Sequence, residues 1–150
     1  MLKKIILVVI SLVAAGALGY YLANLVRDRA TSPEALPEKV LTFISEHFQD
    51  EKIAFAKEDR DLFKLTYEVV LTDGTKLEFR RNGDWKEIKR HRVSIPERIV
   101  PEEAAAKVNE LYPNSVITKA EYDDNDLELE LDNGLELKFD KSFNLTGLDR

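Results

Sequence analysis

The chain has 150 residues, no cysteine and a formal net charge of −6. That length suits one domain or two small repeats fused into one. Lack of cysteine excludes disulfides, thiolate metal sites and a lipidated cysteine after a leader, and the negative charge excludes a general nucleic-acid binder.

Lys3 and Lys4 precede an uncharged apolar stretch, 5–26. Ala15-Gly16-Ala17 offers a small-x-small cleavage site, so one reading is a cleaved secretory signal. The apolar run continues beyond that site, and at about 1.5 Å per residue it is long enough to cross a hydrocarbon core of roughly 30 Å. The other reading is therefore an uncleaved signal-anchor. Either one exports the remainder, to the periplasm or cell envelope, with inner-membrane anchoring if the segment is kept. Residues 27–35, RDRATSPEA, are polar, contain a proline and show no period, which reads as a tether. A folded region is expected over 36–150.

Within it a pattern is written twice. Leu36-Pro37-Glu38 opens LPEKVLTFISEHF and Val100-Pro101-Glu102 opens VPEEAAAKVNELY. Proline at the first helical position followed by glutamate suits a helix start. Val40, Leu41, Ile44 and Phe48 recur at helical spacing, and Ala104, Ala105, Val108 and Tyr112 match them 64 positions later. That is one apolar stripe on each of two helices. Ile53 and Ile117 then open strand-like segments at the same offset, whereas the turns Asp73-Gly74 and Asn133-Gly134 are offset by 60. A small insertion in the first copy, around residues 59–63, accounts for the difference. Each unit reads as a helix followed by three strands, the copies spanning 36–89 and 100–146 with a connector at 90–99.

The hairpins fix their own register. Leu127, Leu129 and Leu131 alternate with acids, as do Leu135, Leu137 and Phe139 with charged residues. Residues opposite one another across a ladder share a face. A two-residue Asn-Gly loop would mix the faces. The three-residue loop Asp132-Asn133-Gly134 sets Leu131 on Leu135, Leu129 on Leu137 and Leu127 on Phe139. A type I turn with a bulge follows, with Gly134 left-handed. In the first copy the same logic sets Leu71 with Thr75, Val69 with Leu77 and Tyr67 with Phe79. A further loop, Arg81-Asn82-Gly83, would pair Phe79 with Trp85 on the buried face, Arg80 with Asp84 and Glu78 with Lys86 outside. Phe143 stands where the first copy has Gly83, and a bulky side chain is poor at positive φ, so the last turn is expected to differ in shape.

Strict alternation means a sheet with one covered and one wet face. The fold class expected is α+β: tandem αβββ repeats forming an antiparallel sheet, helices on one face and the other face open to solvent.

LPEKVLTFISEHF, YEVVLTDGTKLEF, NGDW and VPEEAAAKVNELYPNSVITKAEY together resemble the PepSY-like, β-lactamase-inhibitor-like family. The resemblance covers roughly residues 36–145 and departs from the family pattern at Arg80, Arg81 and Phe143. It implies tandem αβββ architecture and a secreted or envelope-attached bacterial module that binds protein or peptide, with inhibition of a partner as one form of that role. It carries over no catalytic residue.

Reaction chemistry finds little support in the residues themselves. His47 and His91 are the only histidines, too few for a metal triad with histidine ligands. His47 near a helix end reads as a cap or dipole partner. The serines lie in no nucleophile-elbow pattern. Asp123-Asp124-Asn125-Asp126 lacks the glycine and distal glutamate of a calcium loop and reads as a four-residue hairpin turn. Glu68 opposite Glu78 and Glu130 opposite Glu136 are carboxylate pairs of the kind a glycosidase uses, but lysines on adjacent strands favour a solvated sheet face. No catalytic, metal or cofactor site is expected.

The expected partner surface comprises Glu68, Lys76, Glu78, Arg80, Glu128, Glu130, Glu136 and Lys138 on the wet face. From Val100 onward thirteen acids face five bases, whereas residues 36–99 carry thirteen of each. The second unit should thus attract a cationic protein or peptide, charge contributing steering more than affinity; solubility is the plainer reading of the same acids. A basic patch at Lys89, Arg90, His91 and Arg92 in the connector suits either anionic lipid near the membrane or a solvated linker. Trp85 reads as core packing against Phe79 rather than as an interface anchor. The alternative to a binding module is a structural or sensory envelope domain tethered to the membrane.

Overall fold

The computed structural model describes residues 29–61 and 64–150. The leader expected at 1–26 lies outside them. Within the described residues the chain forms β1 (Arg29–Ala30), a 3-10 turn (Pro33–Ala35), α1 (Glu38–His47), β2 (Ile53–Arg60), β3 (Leu65–Leu71), β4 (Lys76–Arg80) and β5 (Trp85–Lys89). The second copy follows as α2 (Glu102–Leu111), β6 (Ile117–Asp123), β7 (Asp126–Leu131), β8 (Glu136–Phe139) and β9 (Leu145–Asp149). All strands join in one antiparallel sheet in sequence order. Each unit therefore supplies four strands rather than three: the hairpin that ends each copy contributes a full strand, β5 or β9.

Both helices begin one residue later than the proline rule suggests. Pro37 and Pro101 are the N-caps, their carbonyls accepting from Leu41 N–H at 3.2 Å and Ala105 N–H at 3.0 Å. Val40 and Ile44 of α1, and Ala104 and Val108 of α2, are buried against the sheet. The expected tether is partly structured, because Arg29 and Ala30 pair with Glu58 and Lys57 of β2.

Hairpin registers follow the alternation. Leu127 opposes Phe139 and Leu129 opposes Leu137; Tyr67 opposes Phe79 and Val69 opposes Leu77. Leu131 N–H donates to the Leu135 carbonyl at 2.8 Å, closing the three-residue loop, and Gly134 has φ 82°. Leu129 and Leu137 are fully buried. One inward row crosses the sheet as Ala56, Val69, Leu77, Ile88, Ala120, Leu129 and Leu137. Its members share one continuous core with the helices.

Two expectations fail locally. Phe79 does oppose Trp85, but a bulge then shifts the register so that Glu78 opposes Glu87 rather than Lys86. Lys86 keeps contact with Glu78 across the shift, at 3.0 Å. Arg80 N–H bonds the Asp84 carbonyl at 2.8 Å, while the Asp84 side chain pairs with Lys39 of α1. The last turn, in turn, keeps the shape of its counterpart. Phe143 enters the left-handed region at φ 57°, and Asp140 N–H donates to the Asn144 carbonyl at 3.0 Å, as Arg80 does to Asp84. The cost of that conformation, about 1–2 kcal/mol, is offset locally. The Asp140 carboxylate accepts from Ser142 N–H at 2.8 Å and Asn144 N–H at 2.9 Å, and the Phe143 side chain packs on the core.

Candidate functional site: the charged sheet face

Because inward positions are apolar, the intervening residues of every strand fall on the opposite face, and the registers align them in rows. One row runs Lys57, Glu68, Glu78, Glu87, Glu121, Glu128, Lys138, strand by strand from β2 to β8. Glutamate thus occupies the same level on β3, β4, β5, β6 and β7. The adjacent row runs Lys76, Lys89, Lys119, Glu130, Glu136, Asp149. Both rows cross the boundary between the two units, where β5 pairs with β6.

Like charges side by side are unfavourable, and lysines interleave to offset them. Lys119 Nζ lies 2.6 Å from Glu121 and 3.6 Å from Glu87. Lys57 reaches Glu68 at 3.1 Å, Lys89 reaches Glu130 at 3.6 Å, and Lys138 reaches Glu128 at 3.1 Å and Glu136 at 3.6 Å. Burial pushes the Glu87 carboxyl above its ordinary range; the Lys119 ammonium opposes this, while Glu121 and Glu78 add to it. Burial acts on Glu121 in the same direction but is outweighed by the hydrogen bond and charge of Lys119, so that Glu121 titrates below its usual value. Burial lowers Lys119 and Lys86 too, and the surrounding glutamates overcome it, holding both above the ordinary lysine value.

The face carries a notch at the seam of the units. Strands β5 and β6 pair only from Glu87 to Lys89, so the sheet opens beyond Trp85. An open hollow of about 770 Å³ results, lined among others by Asp59, Lys64, Glu78, Arg80, Lys86 and Tyr122. Arg80 spans its floor, its Nη2 donating to the carbonyls of Tyr122 at 3.3 Å and Asp124 at 3.4 Å. Asp61 and Lys64, which follow β2 and precede β3, line the hollow as well.

All eight residues of the expected partner surface lie in this array: seven in the two rows, Lys76 at the end of the second, and Arg80 at the notch. The carboxylate pairs Glu68–Glu78 and Glu130–Glu136 are true ladder partners, but each is one step in a longer row with lysines alongside. The sequence reading missed Glu87, Glu121 and Lys119. Alternation in WKEIK and ITKAEYD marks them as outward residues; their meeting depends on the β5–β6 register, which no local turn dictates.

The expected basic patch is divided. Lys89 belongs to the sheet face, and Arg90 is committed to structure. Its Nη2 bonds Asp73 at 2.9 Å, its Nε the Thr75 hydroxyl at 3.2 Å and its Nη1 the Ser94 carbonyl at 2.7 Å, with the guanidinium over the Phe48 ring. His91 and Arg92 are exposed on the connector. His47 closes α1, its ring 4.6 Å from that of Phe43. Trp85 is half-buried, 4.7 Å from the Tyr122 ring. Among the described residues no group of three or more histidine, aspartate and glutamate side chains is set to hold a metal ion.

A family model described as "Putative beta-lactamase-inhibitor-like, PepSY-like" matches residues 65–147. No curated protein matches. Among solved structures, a putative periplasmic protein from Bacteroides vulgatus is similar at 38% identity and TM-score 0.79, over 82% of this chain and 97% of that one. A protein of Bacteroides thetaiotaomicron described as a putative calcium-regulated periplasmic protein is 37% identical, with TM-score 0.79, 82% of this chain and 97% of that one covered. A second putative periplasmic protein of unknown function from Bacteroides vulgatus is 32% identical at TM-score 0.79, with 83% and 100% covered.

Proposed function

The chain belongs to the PepSY-like, β-lactamase-inhibitor-like family, and from that premise we propose that it is a non-catalytic exported binding module that holds a protein or peptide on its charged sheet face. The observation that carries this is the pair of charged rows continuing without interruption across both units, with an open notch at their seam. Five glutamates at one level, each contacted by shared lysines, form a surface that exchanges its internal ion pairs for those of a partner bearing lysine or arginine. Charge on such a surface speeds encounter more than it raises affinity. Export is supported by relatives described as periplasmic, and by the apolar stretch at 5–26. The calcium regulation ascribed to one relative favours a sensory role as a second reading. The charged rows are built into the sheet of this chain itself, so the binding reading stands ahead of it.

Capture from envelope extract with the full chain, followed by hydrogen exchange on the purified complex, tests the reading. A stoichiometric partner that protects amides of β3 to β8 and is lost on joint Glu130→Lys and Glu136→Lys substitution is the expected result. Capture unchanged by that reversal, or protection confined to the helices, would overturn it.

A further inference from the structure

The sheet has two edges, and they are unlike. At one, β2 is covered by β1 through two residue pairs, Arg29 with Glu58 and Ala30 with Lys57, continued by Thr31 N–H to the Ala56 carbonyl at 3.0 Å. At the other, β9 is paired on one side only among the described residues. Leu148 there is 52% exposed and Leu145 37%, although both belong to the apolar face, opposite Leu137 and Phe139.

The molecule itself shows what covers an edge of this kind. β9 is the counterpart of β5, 60 positions on, with its bulge at the same place against the preceding strand. Leu145 corresponds to Trp85, Gly147 to Glu87, Leu148 to Ile88 and Asp149 to Lys89. On β5 the edge is taken by β6, with Glu87 on Glu121, Ile88 on Ala120 and Lys89 on Lys119, and Ile88 is fully buried. β6 in turn is the counterpart of β2, 64 positions on: Ala120 answers to Ala56, and both strands are bulged at the same point. β1 sits on β2 where β5 sits on β6.

We infer that β9 is an acceptor edge for a second copy of this chain, which adds its β2 in place of β1 and repeats between chains the join that β5 and β6 make within one. The register is Gly147 on Lys57, Leu148 on Ala56 and Asp149 on Phe55. Three residue pairs replace the two that β1 makes, and Leu148 is covered as Ile88 is. The charges suit the join better than the internal one does: a glycine faces Lys57, and Asp149 lies diagonally from it, where the internal join sets glutamate on glutamate and lysine on lysine. β9 carries neither the proline nor the lysine that commonly blocks an open edge. The two edges are unlike, so the contact is heterologous and propagates. It uses the sheet edges and leaves the charged face open, so it stands or falls apart from the binding reading.

Cysteine cross-linking tests it on the full chain in detergent, where introduced cysteines are the only ones. Arg90 N–H donates to the Thr118 carbonyl at 2.8 Å, which makes 87 with 121 a non-hydrogen-bonded pair. By correspondence 147 with 57 is such a pair, at a spacing that a disulfide spans. Gly147 lacks positive φ, and a Cβ there meets Lys138 only at ordinary contact distance, 3.5 Å. The expected result is that Gly147→Cys and Lys57→Cys chains, mixed and oxidised, give the mixed dimer well above a Gly147→Cys and Glu46→Cys control. Unsubstituted chains should form a concentration-dependent ladder on sedimentation, and Leu148→Lys should weaken it at least roughly tenfold by placing a charge on the edge. A predominant 147–147 dimer would mean two-fold pairing of β9 strands and would overturn the head-to-tail join. So would cross-linking no better than the control, or a monomer at every concentration.

Discussion

Glu87 of β5 lies directly opposite Glu121 of β6, and this like-charge pair is part of the ladder that joins the two units of the sheet. Burial, together with the charges of Glu121 and Glu78, raises the Glu87 carboxyl above its ordinary value despite Lys119. An acid raised in the folded state binds more protons there than when unfolded, so its ionisation destabilises the fold as pH climbs past its unfolded value, 4.5. Glu87→Gln should therefore stabilise the protein at pH 7 by up to about 1 kcal/mol, the scale of a removed like-charge cross-strand pair. Below pH 4.5 the gain should vanish. Urea unfolding of both proteins at pH 7 and pH 4 measures it, and an equal gain at both would show that the charge is not responsible.

Gly83 and Gly134 share a left-handed backbone, with φ of 82° at both, but their surroundings differ. A Cβ on Gly134 meets nothing within 4 Å, whereas one on Gly83 would stand 2.9 Å from Lys39 Cβ on α1. Alanine at either position costs about 1–2 kcal/mol for the conformation alone. Gly83→Ala must in addition push α1 from the sheet or strain Lys39 away from Asp84, so it should be the more destabilising of the two. Denaturant midpoints of the paired variants decide this; equal losses would place the turn farther from α1.

Leu137 and Leu148 are ladder partners on the same face, one fully buried and the other 52% exposed. Leu137→Ala leaves a hole in the core and should cost about 2–5 kcal/mol. Leu148→Ala should cost under about 1 kcal/mol at concentrations where the chain is monomeric, since a surface change creates no cavity. Comparable losses by thermal unfolding would mean that β9 is covered even in the monomer.

How far these features were legible in the sequence follows from how local their causes are. Leucine–glutamate alternation and the Asp-Gly and Asn-Gly turns act within a dozen residues, and they specify the hairpin registers and which face is wet. The bulge between Glu78 and Phe79 is marked in WKEIK only by inward Trp85 and Ile88 standing three apart instead of two or four, and the opposite charges of Glu78 and Lys86 masked that sign. Phe143 was misjudged since the steric rule against positive φ is only a preference; the side chain of Asp140 and the packing of the ring outweigh it. The meeting of Glu87 with Glu121 is set by how two units dock, through Ile88 and Ala120, which stand 32 positions apart in sequence. No turn connects them directly, so periodicity assigns each glutamate its face without assigning its neighbour.

Asp73 shows a local motif recruited for a long-range task. In the second unit Asn133 accepts from Leu135 N–H at 3.0 Å within the turn and donates to Ser115 of the α2–β6 loop at 3.0 Å. In the first unit the Asp73 carboxylate accepts from Thr75 N–H at 2.9 Å and the Thr75 hydroxyl at 2.8 Å, and also from Arg90 at 2.9 Å. That ties the β3–β4 turn to the connector. Burial raises the Asp73 carboxyl, but these hydrogen bonds and the Arg90 charge outweigh it and hold it below its usual value of 3.8. A depressed acid stabilises the fold above its unfolded pKa, and that contribution is lost as pH falls through the lower folded value. Arg90→Ala should cost about 2 kcal/mol at pH 7, within the range for a hydrogen bond to a charged group. Arg90→Lys should recover only part of it, because one ammonium cannot reproduce a fork that reaches Asp73, Thr75 and Ser94 together. With Asp73→Asn as background the Arg90→Ala loss should shrink, and the coupling should fade as pH falls through the lowered folded value of Asp73. A double-mutant cycle by urea unfolding at pH 7 and at acid pH reads all three, and an Arg90→Ala loss undiminished in the Asp73→Asn background would assign the stabilisation to the Phe48 contact instead.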